Sequence, residues 1–192
     1  ALDALLTAQG IGAGAHVGFL LPNGLATSAL FLATMIAGRV TVPLNLLSQA
    51  PQLAYVLAHS EVRCVFVSGE QAATLAAAVA LLPTTAGATS GIAVVNIDVD
   101  EPLASQLPPL TGTAKTAAPQ ANDPALLMYT SGTTGKPKGA LLTHANLLHA
   151  ARTVAAWHRL TPADRVLSSL PLYHINGQCI ATLSPFVSGG SI

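Results

Sequence analysis

Between Tyr129 and Gly139 the chain reads YTSGTTGKPKG. Three glycines, two lysines and four Ser or Thr hydroxyls fall in this stretch, and no acid opposes them. Gly132, Gly135 and Gly139 admit backbone conformations closed to other residues. Their missing Cβ atoms let successive N–H groups form a concave anion nest. Thr130, Ser131, Thr133 and Thr134 add hydroxyl donors, while Lys136 and Lys138 add cations on flexible stems. Pro137 stiffens the approach to Lys138. Such a set suits a polyphosphate. A plain connection between two strands is the simpler alternative, but a hairpin needs only about two to five turn residues. Nor is this the common phosphate loop, in which Gly-Lys-Ser/Thr runs directly into a helix. Here Pro137 follows Lys136 and GALLTH (139–144) reads as a strand. The expectation is therefore a strand–loop–strand cradle that draws nothing from a helix dipole.

A second group of chemical interest is PLYHINGQ, residues 171–178. His174 there can donate a hydrogen bond to a carboxylate or a phosphate oxygen, or it can be a structural histidine satisfied by backbone. Tyr173, Asn176, Gly177 and Gln178 are weaker pocket candidates. His144, His149 and His158 show no metal-ligand pattern with acids nearby. Cys64 and Cys179 sit in apolar contexts and read as reduced core cysteines, which fits a cytoplasmic protein.

The elements that must position these residues alternate. Strands are expected at 16–21, 40–44, 62–67 and 91–97, with helices at 24–38, 49–60 and 70–82 between them. Gly38 supplies a stop signal and Pro51 a first-turn proline. Short connections between alternating strands and helices mean crossover units and a mainly parallel sheet flanked by helices, an α/β fold. Residues 99–123 are rich in Pro, Ala, Thr and Ser and read as a connector. The expected organisation is a first α/β subregion over 1–98, the connector over 99–123, and a second subregion over 124–192. That second part holds strands at 124–130, 139–144 and 164–170 and a helix at 145–160. Over 171–190 a turn leads into a helix that Pro185 should kink or end.

Bulk properties bound the function classes. The 192 residues are 51% hydrophobic and only 8% charged, against about 25% charged in ordinary domains, which argues against disorder. Net charge is zero, so nothing points to nucleic acid. Residues 125–192 nevertheless carry five bases and one acid, a local field suited to an anionic ligand. Between Asp3 and Arg39 there is no charged residue, but Pro22-Asn23-Gly24 divides the span. The apolar run from 25 to 38 falls short of the roughly 20 residues a membrane helix needs. Oligomeric state is left open.

YTSGTTGKPKG resembles the signature loop of the acyl-adenylate-forming superfamily, which includes acyl-CoA synthetases. GFLLPNGLATSALFLATMIAGRVTVPLN (18–45), LLTHANLL and LPLYHINGQ (170–178) are similar to family segments in the expected order. The resemblance covers essentially the whole chain and is strongest to acyl-CoA synthetases and fatty-acid–CoA ligases. It implies a two-step reaction: a carboxylate and ATP give acyl-AMP and pyrophosphate, then a thiol, commonly that of coenzyme A, displaces AMP. It implies contacts from Thr130, Ser131, Gly132, Thr133, Thr134, Gly135 and Lys138 to the ATP phosphates. Lys138 is then the family's lysine, and Thr130 a contact to Mg²⁺. His174 is placed beside the acyl carboxylate, with Tyr173, Asn176 and Gly177 in the acyl pocket. His174 and Lys138 are the expected catalytic residues. The family's Tyr-Gly-x-Thr-Glu and Thr-Gly-Asp segments do not occur in these residues. The expectation is thus a partial N-terminal domain, the front portion of a longer ligase and inactive by itself. A non-catalytic nucleotide-binding or interaction module that kept the loop is the alternative.

Overall fold

A computed structural model describes residues 1–83, 91–109, 117–130 and 137–192 of the chain. In order the elements are α1 (Leu2–Ala8), β1 (His16–Leu20), α2 (Leu25–Ile36), β2 (Val40–Pro43), α3 (Ala50–His59), β3 (Cys64–Ser68), α4 (Gly69–Ala80) and β4 (Ala93–Ile97). After the single turn α5 (Leu103–Gln106) come β5 (Pro124–Thr130), β6 (Lys138–Thr143) and α6 (His144–His158). A π-helix, Asn176–Leu183, and a short α7, Ser184–Val187, follow.

The strands form one six-stranded sheet in the order β4-β3-β1-β2-β5-β6. All neighbours are parallel except β5 and β6, which run antiparallel. Every residue of β2 and β3 is buried, as expected of parallel strands covered on both faces. The two-residue period of a strand divides their side chains between two core layers. Val17, Phe19, Cys64, Phe66, Leu126 and Met128 pack with Leu6, Leu30, Phe31, Leu147 and Ala151, from α1, α2 and α6. Leu20, Val42, Val65 and Val67 pack with Leu53, Val56, Leu57, Leu75 and Ala78, from α3 and α4. The mainly parallel, helix-flanked architecture read from the sequence is the architecture found.

Local chemistry accounts for the boundaries. Gly38 takes a φ of 70° just beyond α2, a conformation that ends the helix at little steric cost. The Thr143 hydroxyl accepts from Asn146 N–H at 3.2 Å, and Asn146 Oδ1 accepts from Thr143 N–H at 3.0 Å. This reciprocal box starts α6 where the chain leaves β6. Arg39 is 1% exposed, yet its guanidinium is fully engaged. It donates to Ile11 O, Thr7 Oγ1 and Ala37 O and pairs with Asp3, tying α1 to the turn before β2.

One expectation is revised. Residues 164–170 do not form a strand: the only pairing found there is a parallel bridge from Arg165 to Ser191, with Val166 N–H donating to Ser191 O at 2.9 Å. Backbone groups need a ladder partner to make a strand, and among the described residues only Ser191 lies alongside. Pro185, expected to kink or end the last helix, lies where the helix changes geometry, and the helix ends two residues later at Val187. Pro185 sits in the first turn of α7, where the wide π-helix gives way to α-geometry and a missing N–H costs least.

Candidate active site

The chain leaves the sheet at the carboxyl ends of β2 and β5, where ligands of open α/β sheets commonly bind. A cleft of about 310 Å³ opens there. Its walls come from the end of β2 (Pro43, Leu44 and Asn45), from α3 (Gln52 and Val56), from the end of β5 (Met128 to Thr130), and from Pro137 and the segment Tyr173–Ile175. Both motifs singled out in the sequence therefore border one cavity, although more than 40 residues separate Thr130 from His174.

The base of the Gly-rich loop is fixed by the β5–β6 ladder. Thr130 pairs with Lys138, and Tyr129 with Gly139. Directly opposed residues of an antiparallel pair have their Cβ atoms about 4.5–5.5 Å apart on one face. Thr130 and Lys138 thus stand together at the mouth of the loop, both exposed. Ser131, Gly132, Thr133, Thr134 and Gly135 lie outside the described residues, as does Lys136.

Tyr129 anchors the first leg of the loop. Its hydroxyl meets His59 Nδ1 at 2.7 Å, and the two rings pack edge to face at 5.7 Å. Tyr55 also packs on His59, with ring centroids 5.6 Å apart. Burial, reinforced by the neighbouring Tyr55, pushes the Tyr129 phenol up to about 12. The phenol therefore stays neutral and holds the His59 ring through one hydrogen bond.

His174 is exposed, with its ring 5.0 Å from that of Tyr173. Its N–H donates to Pro171 O at 3.0 Å, and its own carbonyl accepts from Gln178 N–H at 3.2 Å, entering the π-helix. Asn176 is exposed at the start of that helix, while Gly177 and Gln178 are buried in it. None of these three lines the cleft. Gly177 has a packing reason: a Cβ there would stand 2.3 Å from Pro171 O and 2.8 Å from Leu170 O. Thr182 Oγ1 donates to Gly177 O at 2.8 Å, across the wide turn.

Sequence reasoning passed over Asn45, Ser48 and Gln52, which give the cleft its polar lining, and His59, which holds Tyr129. Gln52, Tyr55, Val56 and His59 fall at i, i+3, i+4 and i+7 on α3, so one helix face carries them all. That spacing was visible, but nothing in it said which face meets the loop.

The donor set fits a nucleotide polyphosphate with its metal. Thr130 offers a hard hydroxyl oxygen, and Mg²⁺ ordinarily takes a few protein oxygens and completes its shell from phosphates and water. Among the described residues no group of three or more His, Cys, Asp or Glu could hold a metal alone. No helix among them is long and apolar enough to cross a membrane.

The chain is similar to known proteins in both sequence and fold. The family model described as "AMP-binding enzyme" matches residues 2–192. A sulfoacetate–CoA ligase of Cupriavidus necator is 47% identical over 96% of the chain and 35% of its own length. The medium/long-chain-fatty-acid–CoA ligase FadD6 of Mycobacterium tuberculosis is 33% identical over 98% of the chain and 31% of its own length. ATP-bound MatB from Rhodopseudomonas palustris superposes with a TM-score of 0.84 at 30% identity, over 99% of this chain and 37% of that one. The chain spans about a third of the length of the curated relatives it matches.

Proposed function

The chain belongs to the AMP-binding enzyme family, and from that premise we propose that it carries the pyrophosphate clamp and part of the acyl pocket of an ATP-dependent acid–CoA ligase. A carboxylate oxygen of the acid attacks the α-phosphorus of ATP. The bond to the bridging oxygen breaks, pyrophosphate leaves, and acyl-AMP forms. The sulfur of coenzyme A then attacks the acyl carbon, AMP leaves with its electron pair, and the thiol proton passes to solvent.

The residues divide this work. Thr130, Ser131, Gly132, Thr133, Thr134 and Gly135 offer hydroxyl and N–H donors to the β- and γ-phosphates. Lys138, opposite Thr130 in the ladder, adds positive charge where negative charge builds on the departing pyrophosphate. Mg²⁺, held in part through Thr130, would neutralise phosphate charge. His174 donates a hydrogen bond to the acyl carboxylate or to a nearby phosphate oxygen, with Tyr173 beside it. Asn176 and Gly177 shape the acyl pocket by setting the course of the segment rather than by touching the cleft. The observation that carries this reading is that Thr130, Pro137 and His174 border a single cleft.

The whole enzyme tests it through carboxylate-dependent exchange of pyrophosphate into ATP. The acids should include sulfoacetate, medium- and long-chain fatty acids and ferulate, the substrates in the names of its relatives. Exchange that requires one of these acids is the expected result. ATP binding without exchange for any acid would favour a nucleotide-binding module instead.

A further inference from the structure

Among the described residues no sheet ladder or helix holds residues 166–174, yet they carry His174 to the cleft. Their support comes from elsewhere. Asn23 lies 147 residues before Leu170, in the Pro22-Asn23-Gly24 turn between the central strand β1 and α2. Its Nδ2 donates to Leu170 O at 2.8 Å, and its Oδ1 accepts from Leu172 N–H at 2.9 Å. The turn is itself pinned, because the buried Thr27 hydroxyl donates to Pro22 O at 2.5 Å. On the other side of the same residue, Gln178 Nε2 donates to Leu172 O at 2.6 Å. Leu172 therefore has its N–H and its carbonyl each held by a side-chain amide, and Tyr173 and His174 follow directly.

We infer that Asn23 is a positioning residue for His174: its amide straddles Pro171 and fixes the segment that presents the imidazole to the cleft. The inference rests on the ligase reading for its activity test. An amide supplies a donor and an acceptor on one short planar group, whereas an ionised carboxylate only accepts. Aspartate keeps the acceptor for Leu172 N–H but sets a carboxylate oxygen against Leu170 O. Alanine removes both bonds. Misplacing a reacting or orienting group by about 1 Å can cost about 10²-fold in rate.

The experiment is a double-mutant cycle in the whole enzyme, read by carboxylate-dependent ATP–pyrophosphate exchange. Asn23→Asp and Asn23→Ala are each made alone and with His174→Ala, and the thermal midpoint is followed throughout. In a folded protein, each Asn23 variant should lower exchange about tenfold or more by raising KM for the acid or lowering kcat, with KM for ATP unchanged. In the His174→Ala background the same change should cost less than about twofold, because the group being positioned is gone. Equal losses in both backgrounds would overturn the inference, as would unchanged exchange or an equal rise in KM for ATP. If the wild-type enzyme shows no exchange with any acid, the ligase reading fails separately. The His174 imidazole resonances then decide: movement in Asn23→Asp but not in a distant surface variant supports the inference, and no movement overturns it.

Discussion

Gly177 shows how one residue can serve a site without entering it. The family resemblance implied a place in the acyl pocket, and the structure puts its Cα against the backbone of Leu170 and Pro171. A methyl group there would drive the π-helix away from the segment that presents His174. Gly177→Ala should therefore destabilise the protein by about 1–3 kcal/mol, the usual cost of overpacking. A shifted denaturation midpoint in urea measures it, and an unshifted midpoint would contradict the close approach. No reading of the sequence could separate these roles, because the requirement for glycine comes from a tertiary contact. The phosphate-loop proposal rests on the sequence itself, where donors, cations and glycines are chemical facts, and residues 131–136 lie outside the described residues. The tether from His59 to Tyr129 was hidden because its partners lie 70 residues apart.

At the scale of elements, α6 was read well and the segments after it less well. The helix expected at 145–160 is found at His144–His158, and its start is set by local capping chemistry: the Thr143 hydroxyl, and the Asn146 amide three residues on. His144 also gives α6 a pH dependence. Burial lowers its basicity below the ordinary value of 6.5, although the Asp123 carboxylate pulls the other way. Among the described residues its Nε2 is buried without a hydrogen-bond partner. The folded state resists a proton that the unfolded chain accepts, so stability is full above about pH 6.5 and is lost as pH falls from there through the lowered folded value. The thermal midpoint should accordingly fall more between pH 7.5 and 5.5 in the wild type than in His144→Gln. Parallel curves would contradict this. By contrast, residues 164–170 have strand composition but, among the described residues, no strand partner beyond the bridge from Arg165 to Ser191, and the π-helix packs Gly177 against Leu170 and Pro171. Neither fact is written in local propensity.

Across the whole molecule, alternation of strands and helices announced a parallel sheet but not its order. The chain must pass from β4 at one edge to β5 beside β2, four strand spacings away. At about 4.8 Å per strand that is about 19 Å, well within the reach of the 99–123 connector. The length of that stretch thus has a reason that its composition did not give. This crossing sets β5 next to β2, so that Thr130 and Pro137, which flank the Gly-rich loop, share a cleft with the end of β2 that the His174 segment completes. Uneven charge fits the same arrangement, with both loop lysines in the basic final third of the chain. In the proposed ligase this loop grips the departing pyrophosphate through Lys138. The most direct test is carboxylate-dependent ATP–pyrophosphate exchange by the whole enzyme carrying Lys138→Ala. Loss of one transition-state donor predicts a fall of about 10²-fold or more with the thermal midpoint retained, whereas exchange at the wild-type rate in the folded variant would contradict the account.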